Sequence, residues 1–476
     1  MTDLKDILSK QGKFWFAGAT EETGAFGALS ITSDGTSYLT LGKAFNSQAI
    51  DYKKSDSFMY QPHEVFGKLE DGRYVFLQEC YVEDSSRSSV GSLPNKLRSQ
   101  ICIITDKYEI DKDFEYNIEH IRFPLGPLLP WFRPEMPTST ESDGNRTLTY
   151  PASTKETFNI RIGTVDIENE LLFDFDGKKR LVTPRLDGCL KFTPYSTLSI
   201  ESIIEFMKHL EDFLLIFTDQ TVDLPWPVIQ LSSDAGSAEF YFTRMEMKPA
   251  EYSHLDCWLN YRQLQPEFEK ILSSWFAKKD TFGPAFYLYA GNKRVVSMYE
   301  EHRFMNAVTG FESFHYATKR TIPKNENLEK KISRILNALP TSLKSADRRW
   351  ASKQAENCLE PTLSERLQDL ILSLPLDLDK KEVKDFADRC STFRNDISHY
   401  GGPRSKGDYR KFTRDIHLLH CALYPLYHAL LLSEIGVSAK LIQLAIFNPR
   451  VGGRIRFELK EANLNLPSQS AKPTSP

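Results

Sequence analysis

Residues 380–403 read KKEVKDFADRCSTFRNDISHYGGP, and they combine the end of a helix with a group of chemically useful side chains. Helical periodicity runs over residues 381–400. Gly401, Gly402 and Pro403 follow directly, a combination that is typical of a helix C-terminus. His399 is therefore predicted to lie at or just before a helix end, where the negative end of the helix dipole favours the protonated imidazole.

The spacing within this segment brings several polar groups close together. Asn395 and His399 are four residues apart and share one helix face, while Arg394 and Ser398 share the neighbouring face. An imidazole, whose pKa is about 6.5, can take up or release a proton at neutral pH, and a guanidinium can clamp a phosphate. These groups suit metal-independent RNA cleavage, with Arg394, Asn395 and His399 as catalytic residues and Ser398 as a substrate contact.

Two other Arg–His pairs with similar spacing show that spacing alone is a weak signal. Arg410 precedes His417 and Arg414 precedes His420, but both pairs lie within an apolar helical pattern, where the imidazoles are expected in a core or an interface. Only the pair in the quoted segment has an asparagine directly after the arginine and a helix stop directly after the histidine.

An ordinary helix end remains an alternative explanation of the same residues. In that case Asp396 pairs with a nearby basic side chain, and His399 only bonds the last carbonyls of the helix. If the segment is catalytic, one motif supplies a single imidazole, although acid and base catalysis is easier with two. We therefore expect two chains to pair across this helix and to form one composite site.

Helical periodicity extends on both sides of the quoted segment, from about residue 252 to about residue 445. The predicted helices cover 254–278, 295–319, 328–336, 363–372, 381–400 and 409–434. Phe304, Val308 and Phe311 form one apolar stripe, which is typical of antiparallel helices that share a core. Residues 297–450 carry 24 basic and 19 acidic side chains, and this excess permits a polyanionic partner.

The first half of the chain shows the short, β-rich runs of an antiparallel sheet. The predicted class is α+β: a mostly antiparallel β region in two lobes over 1–250, a helical connector over 251–295 and an all-α helical bundle over 296–450. Residues 133–154, rich in Pro, Ser and Thr, are predicted as a long loop, and residues 466–476 as a disordered tail.

Composition excludes several classes of protein. The 476 residues are 41% hydrophobic with a net charge of −4, as in globular proteins. Seven scattered cysteines without a Cys-x-x-Cys pair indicate a reducing cytoplasm. Residues 416–433 lack charged side chains but contain three histidines and Pro425, so a buried helix is favoured over a membrane span. His417, His420 and Cys421 lack a fourth zinc ligand nearby, and no metal or cofactor is predicted.

Basic side chains surround the quoted segment. Arg404 and Lys406 follow the helix stop within seven residues of His399, so we interpret both as candidate contacts to RNA phosphates. A solvated surface would carry the same charges, and that alternative stays open.

Three segments resemble known families. Residues 394–399, RNDISH, resemble the Arg-x4-6-His signature of HEPN ribonucleases, including the asparagine after the arginine. Residues 299–315, YEEHRFMNAVTGFESFH, resemble the first conserved HEPN helix of the ApeA family, which acts in bacterial abortive infection. Residues 12–45, GKFWFAGATEETGAFGALSITSDGTSYLTLGKAF, are similar to the N-terminal domain of the same family.

The resemblance implies a metal-independent endoribonuclease that forms a homodimer through its HEPN helices. Such a protein cuts cellular RNA, for example tRNA, so that an infected cell stops supporting phage. From the chemistry we expect 2′,3′-cyclic phosphate ends, and because activity in an uninfected cell must be suppressed, we expect a phage-derived trigger. Arg394, Asn395 and His399 match the motif directly, and Glu312 matches an acidic position of the first helix. Tyr316 departs from the pattern, because a basic residue is expected after His315. A HEPN-type dimer that binds RNA, nucleotide or protein without cleavage is the alternative, and a metal-dependent nuclease is a third possibility.

Overall fold

The computed structural model divides the chain into two compact units. The first comprises Met1–Asp212 and Val222–Tyr252, and the second comprises Phe213–Thr221 and Ser253–Pro476. The structure describes residues 6–42, 61–88, 91–106, 118–132, 138–142, 145–149, 153–176, 181–231, 236–244, 253–294, 297–318, 320, 322, 326–340, 342–404 and 407–467. The predicted tail lies outside these residues from position 468 onward.

The first unit consists of antiparallel strands, as predicted from the alternating β-rich runs. The strands are β1 (Asp6–Phe16), β2 (Ala25–Thr32), β3 (Ser37–Leu41), β4 (His63–Leu69), β5 (Tyr74–Ser88), β6 (Gly91–Thr105), β7 (Ile118–Pro124), β8 (Thr138–Ser142), β9 (Asn145–Thr149), β10 (Thr154–Ile160), β11 (Gly163–Asp176), β12 (Leu181–Pro194), β13 (Val228–Leu231) and β14 (Ser237–Phe242).

Six of these strands close into a small barrel. The order is β6-β3-β2-β1-β4-β5, and β5 pairs again with β6. Side chains that alternate along the strands, among them Phe14, Leu29 and Leu97, fill the interior and are fully buried. The β2–β3 turn follows from its sequence: Asp34 accepts a hydrogen bond from the Thr36 amide at 3.0 Å, and Gly35 takes a positive φ of 82°.

Six further strands continue the same sheet in the order β10-β11-β12-β7-β13-β14, and β14 pairs with β6. The two predicted lobes are therefore halves of one hydrogen-bonded sheet. Helix α2 (Ile200–Thr218) covers the second half, where Phe206 stacks on Phe192 with the ring centroids 3.9 Å apart. Helix α1 (Leu129–Phe132) is a single turn beside it.

The prediction of a continuous loop over residues 133–154 was wrong. Strands β8 and β9 pair as a separate two-stranded sheet within it, with Thr138 opposite Thr149. Alternating threonines suit a pleated strand because their β-branched side chains favour extended backbone. The Ser and Thr content that favours a loop belongs here to a hairpin.

Helices dominate the second unit. They are α3 (Tyr261–Leu264), α4 (Phe268–Phe282), α5 (Pro284–Arg294), α6 (Glu300–Ala317), α7 (Glu326–Asn337), α8 (Ser345–Asn357), α9 (Leu363–Leu372), α10 (Lys380–Tyr400), α11 (Tyr409–Glu434), α12 (Ala439–Phe447) and α13 (Val451–Glu461). The apolar stripe predicted in α6 is confirmed, because Phe304, Val308 and Phe311 are fully buried.

Helix α11 is the central helix of this unit. It is long and apolar enough to cross a membrane by length and composition, but 72% of its apolar window is buried inside the molecule. Among the described residues it alone passes that test. Burial of this kind is consistent with the core helix of a soluble protein.

The crossing of α6 and α11 depends on Gly310. A Cβ at this position would lie 2.5 Å from a ring carbon of Tyr427, whose hydroxyl donates to the Ala285 carbonyl. We expect Gly310→Ala to lower the free energy of unfolding by about 1–3 kcal/mol, because an overpacked core must shift. Gly291→Ala in α5 is the matched control, since nothing lies within 4 Å of its Cβ.

Thermal unfolding of both variants tests this packing. The control should unfold at the same temperature as the wild type or higher, because alanine is a better helix former than glycine by about 0.5–1 kcal/mol. Equal stability of Gly310→Ala and the wild type would contradict the close approach of the two helices.

Candidate active site

Helix α10 carries the predicted catalytic segment, and its two ends follow from the sequence. Asp379 accepts hydrogen bonds from the amides of Lys381 and Glu382, which caps the N-terminus. The helix ends at Tyr400, as predicted, because Gly401 takes a left-handed conformation with φ of 67° and donates its amide proton to the Ile397 carbonyl at 3.0 Å.

One face of α10 is buried and the end of the helix is exposed. Val383, Phe386 and Cys390 recur at helical spacing and are completely buried, which anchors the helix. Ser398 and His399 are exposed in the last turn. Within the part of the chain that the structure describes, the His399 side chain makes no hydrogen bond or ion pair, so its imidazole is available for proton transfer.

Arg394 lies one turn earlier and is held by two neighbours. Its Nη2 atom is 3.4 Å from Oε2 of Glu312 on α6, and its Nη1 atom donates to Oδ1 of Asn395 at 3.1 Å. The side chain is 32% exposed. The guanidinium is therefore oriented by the protein and still accessible to an anion, which is what a phosphate clamp requires.

Glu312 connects Arg394 to a second, buried arginine. Oε1 of Glu312 accepts a hydrogen bond from Nη1 of Arg366 at 2.9 Å. Arg366 lies on α9, is only 5% exposed, and places its guanidinium 4.2 Å from the centroid of the Tyr316 ring. Each carboxylate oxygen of Glu312 thus faces a different arginine, so Glu312 is a positioning residue for Arg394.

Arg366 also contacts Tyr316, the residue that departs from the pattern of the first HEPN helix. A basic residue was expected directly after His315, and Tyr316 occupies that place instead. In the folded unit Arg366 lies over this ring and supplies a positive charge from another helix. Sequence reasoning missed Arg366, because a single arginine on an amphipathic helix carries no distinguishing signal.

One interaction expected for an ordinary helix end is present, the pairing of Asp396 with a basic side chain. Nε of Arg404 donates to Oδ1 of Asp396 at 2.5 Å, and Asp396 is only 9% exposed. The Arg404 guanidinium also lies 5.6 Å from the centroid of the Tyr400 ring. Arg404 is thus engaged within the chain while remaining half exposed. Lys406, the other predicted phosphate contact, lies outside the described residues.

The predicted residues fall into two groups. Arg394, Asn395 and Glu312 form one connected network, whereas His399 stands apart from it. Five residues along a helix correspond to a rotation of about 140°, so Arg394 and His399 point to different sides of α10. A single chain does not bring the imidazole and the guanidinium together on one face.

The histidines of α11 lie in different surroundings from His399. Nδ1 of His417 is 3.0 Å from Oε2 of Glu300, and Nδ1 of His420 is 3.9 Å from the same oxygen. His428 is fully buried; its Nε2 contacts the Ile216 carbonyl and its ring lies 3.9 Å from that of Trp258. Among the described residues no group of His, Cys, Asp and Glu side chains is arranged to hold a metal ion.

The burial of His420 and His428 predicts that the protein loses stability in acid. Burial lowers the pKa of His420 to about 4 and the pKa of His428 to about 4. An unfolded histidine titrates near pH 6.5, so between about pH 6.5 and 5 the unfolded chain binds protons that the folded chain does not. Stability is thus complete above this range, and we expect the free energy of unfolding to fall by about 1.4 kcal/mol per pH unit for each histidine.

Denaturant unfolding at several pH values measures this slope. His420→Gln should remove about half of it. His302→Ala, which changes an exposed side chain on α6, should leave the slope as in the wild type. A wild-type stability that stays constant from about pH 6.5 to 5 would contradict the burial of both imidazoles.

Two family models match the chain, one over its β-rich part and one over its helical part. Residues 9–275 match ApeA N-terminal domain 1, and residues 305–441 match the Apea-like HEPN domain. Searches of curated proteins and of solved structures gave no match. The second match identifies the helical unit as a HEPN domain, a ribonuclease fold whose members typically dimerise and bind RNA. Because the first model alone covers more than half of the 476 residues, the chain belongs to the ApeA family of defence-related proteins with a C-terminal HEPN domain.

Proposed function

We propose that this protein is a metal-independent endoribonuclease of a bacterial anti-phage system, active as a dimer in the cytoplasm. The observation that carries the proposal is the presence, on one helix, of an exposed His399 that forms no hydrogen bond or ion pair with the described residues and of an Arg394 oriented by Glu312. Structural histidines normally bond neighbouring groups, as His428 does here through Nε2 and the Ile216 carbonyl. Exposure at a helix end suits a group that exchanges protons with a substrate.

The geometry of α10 supports the proposed dimer. Arg394 and His399 face different sides of one helix, and one chain offers only one such imidazole. A second copy across α10 supplies a second imidazole and a second guanidinium to the same phosphate. The composite site then contains a base, an acid and two cations, which is the set that the reaction needs.

The chemistry proceeds by attack of the ribose on its own phosphate. Neutral His399 of one chain removes the proton of the 2′-hydroxyl, and the 2′-oxygen forms a bond to phosphorus. The bond from phosphorus to the 5′-oxygen breaks, and protonated His399 of the other chain donates its proton to that oxygen. Arg394 stabilises the charge on the phosphate oxygens, and Asn395 holds Arg394 in place. The products are a 2′,3′-cyclic phosphate and a 5′-hydroxyl.

Activity in an uninfected cell would be harmful, so the active population must be small until infection. We assign the sensing of a phage component to the N-terminal β region, and its binding shifts the population toward the active state. The substrate is cellular RNA, with tRNA as the first candidate. Cleavage of such RNA stops the infected cell from supporting phage growth.

Sequencing of RNA ends tests this function directly. RNA from cells that carry the protein should gain 2′,3′-cyclic phosphate and 5′-hydroxyl ends after phage infection, and protein purified from infected cells should produce the same ends with EDTA present. Ends with a 3′-hydroxyl and a 5′-phosphate, or a reaction that EDTA stops, would identify a metal-dependent nuclease instead. New ends at the same level before infection would refute the trigger.

A further inference from the structure

Helices α7 and α8 lie outside the apolar core of the helical unit. Neither Glu326–Asn337 nor Ser345–Asn357 contains a buried residue, although the two helices contact each other. The neighbouring α10 and α11, in contrast, each bury an apolar face. The side chains of α8 are therefore largely exposed and accessible to a partner.

One face of α8 is rich in cations and hydroxyls. Side chains three and four residues apart share a helix face. Those on this face line an open depression of about 660 Å³ and are Ser345, Arg348, Arg349, Ser352, Lys353 and Glu356. We call this set the α8 basic face. It carries three positive charges against one carboxylate, which lies at its C-terminal end.

The positive charges of the α8 basic face are not neutralised within the described chain. Arg348 donates to the Pro340 carbonyl at 2.8 Å, and Arg349 donates to the Ser345 carbonyl at 3.4 Å. Neither these two residues nor Lys353 forms an ion pair with any carboxylate that the structure describes. Arg366, Arg394 and Arg404 all have carboxylate partners. The α8 basic face is thus a site of uncompensated charge.

We propose that the α8 basic face binds the phosphate backbone of the RNA on which the HEPN domain acts; this inference rests on the proposed function. Guanidinium, ammonium and hydroxyl groups are the usual donors to phosphate oxygens. Arg348 and Lys353 are about 7.5 Å apart along the helix axis at 1.5 Å per residue, and one strand of a duplex places a phosphate about every 3.4 Å of its axis. This length covers about two phosphate intervals, so the three cations of the face can reach about three consecutive phosphates.

The composition of the face favours RNA over an acidic protein. Protein interfaces depend on apolar or aromatic anchors in a desolvated centre, and the α8 basic face contains no apolar residue. Trp350 lies on the same helix but away from this face, and it is 66% exposed. An exposed indole can stack an unpaired base, so the helix carries two features of single-strand binding.

The salt dependence of RNA binding tests the proposal. The full-length chain carrying His399→Ala is titrated with a labelled single-stranded RNA at 50 and 200 mM salt, with and without R348Q/R349Q/K353Q. Loss of three phosphate contacts should lower the slope of log affinity against log salt by about 2, at about 0.7 per contact. Over this fourfold change in salt, the parent should lose about 20-fold more affinity than the triple variant.

The triple variant K330Q/K331Q/R334Q on α7 is the matched control. It removes the same charge from the adjacent exposed helix and should leave the slope as in the parent. An unchanged slope in the α8 variant, or an equal decrease in the control, would overturn the proposal, as would binding of a polyglutamate probe as tight as that of RNA. Binding is read independently of cleavage, so a failure of the ribonuclease proposal appears as RNA that His399→Ala still cuts.

Discussion

Replacing His399 by alanine is expected to reduce RNA cleavage by about 10²–10⁴-fold, because the site loses its proton-transfer group. Dimerisation and RNA binding should persist. His399 is exposed and forms no hydrogen bond or ion pair in the described chain, so its removal costs the fold little. Cleavage of a labelled RNA by purified protein measures the rate, while gel filtration and RNA titration confirm that the variant is intact.

The pair Arg410 and His417 provides a control of similar spacing on another helix. His417 is exposed and pairs with Glu300, so His417→Ala should remove only a surface ion pair and change the cleavage rate less than tenfold. If His399→Ala retained wild-type cleavage, the enzyme proposal would be wrong. Loss of cleavage with full RNA binding would instead exclude the non-catalytic HEPN dimer.

Replacing Arg394 by alanine is expected to lower the cleavage rate by about 10²–10³-fold, since the phosphate loses a positioned cation where charge develops. Arg394→Lys should recover only part of this rate. A lysine keeps the charge but lacks the planar fork that engages two phosphate oxygens and two protein partners. Single-turnover cleavage measures the chemical step separately from product release.

The fold should tolerate loss of Arg394. Glu312 keeps Arg366 as a partner at 2.9 Å, so no unpaired carboxylate remains, and the partly exposed pair with Arg394 contributes about 0–1 kcal/mol. Arg410→Ala, which changes an exposed arginine on α11, is the control and should alter the rate less than tenfold. A similar loss of rate in both variants would show that general positive charge, not the position of Arg394, supports the reaction.

The tertiary structure shows which residues Glu312 contacts. The sequence resemblance marked it only as an acidic position without a role. Its two carboxylate oxygens face Arg366 and Arg394, which lie on two different helices. The negative charge of Glu312 lies beside Arg394 and partly neutralises it, so an approaching RNA meets a weaker positive charge. The network therefore orients Arg394 but weakens the attraction of Arg394 for phosphate.

Local chemistry explains why parts of the fold could be predicted. The end of α10 is encoded by Gly401, whose lack of a Cβ permits a positive φ. The burial of Phe304, Val308 and Phe311 follows from a 3.6-residue period. Strand β4 was not predicted; it contains Gly67, where a Cβ would lie 2.3 Å from the Phe14 ring. A short window of sequence does not show that position 67 must be glycine, because this requirement arises from the packing of β4 against β1.

Short segments of sequence were enough to predict the β-rich first half, the helical second half and the helix stop that leaves His399 at an exposed end, since each depends on residues within a few positions of one another. The closure of the barrel through β5 and β6 and the convergence of Arg366, Glu312 and Arg394 become visible only in the folded chain. Those contacts join segments far apart in the chain, and they form only when burial of the apolar faces brings the elements together.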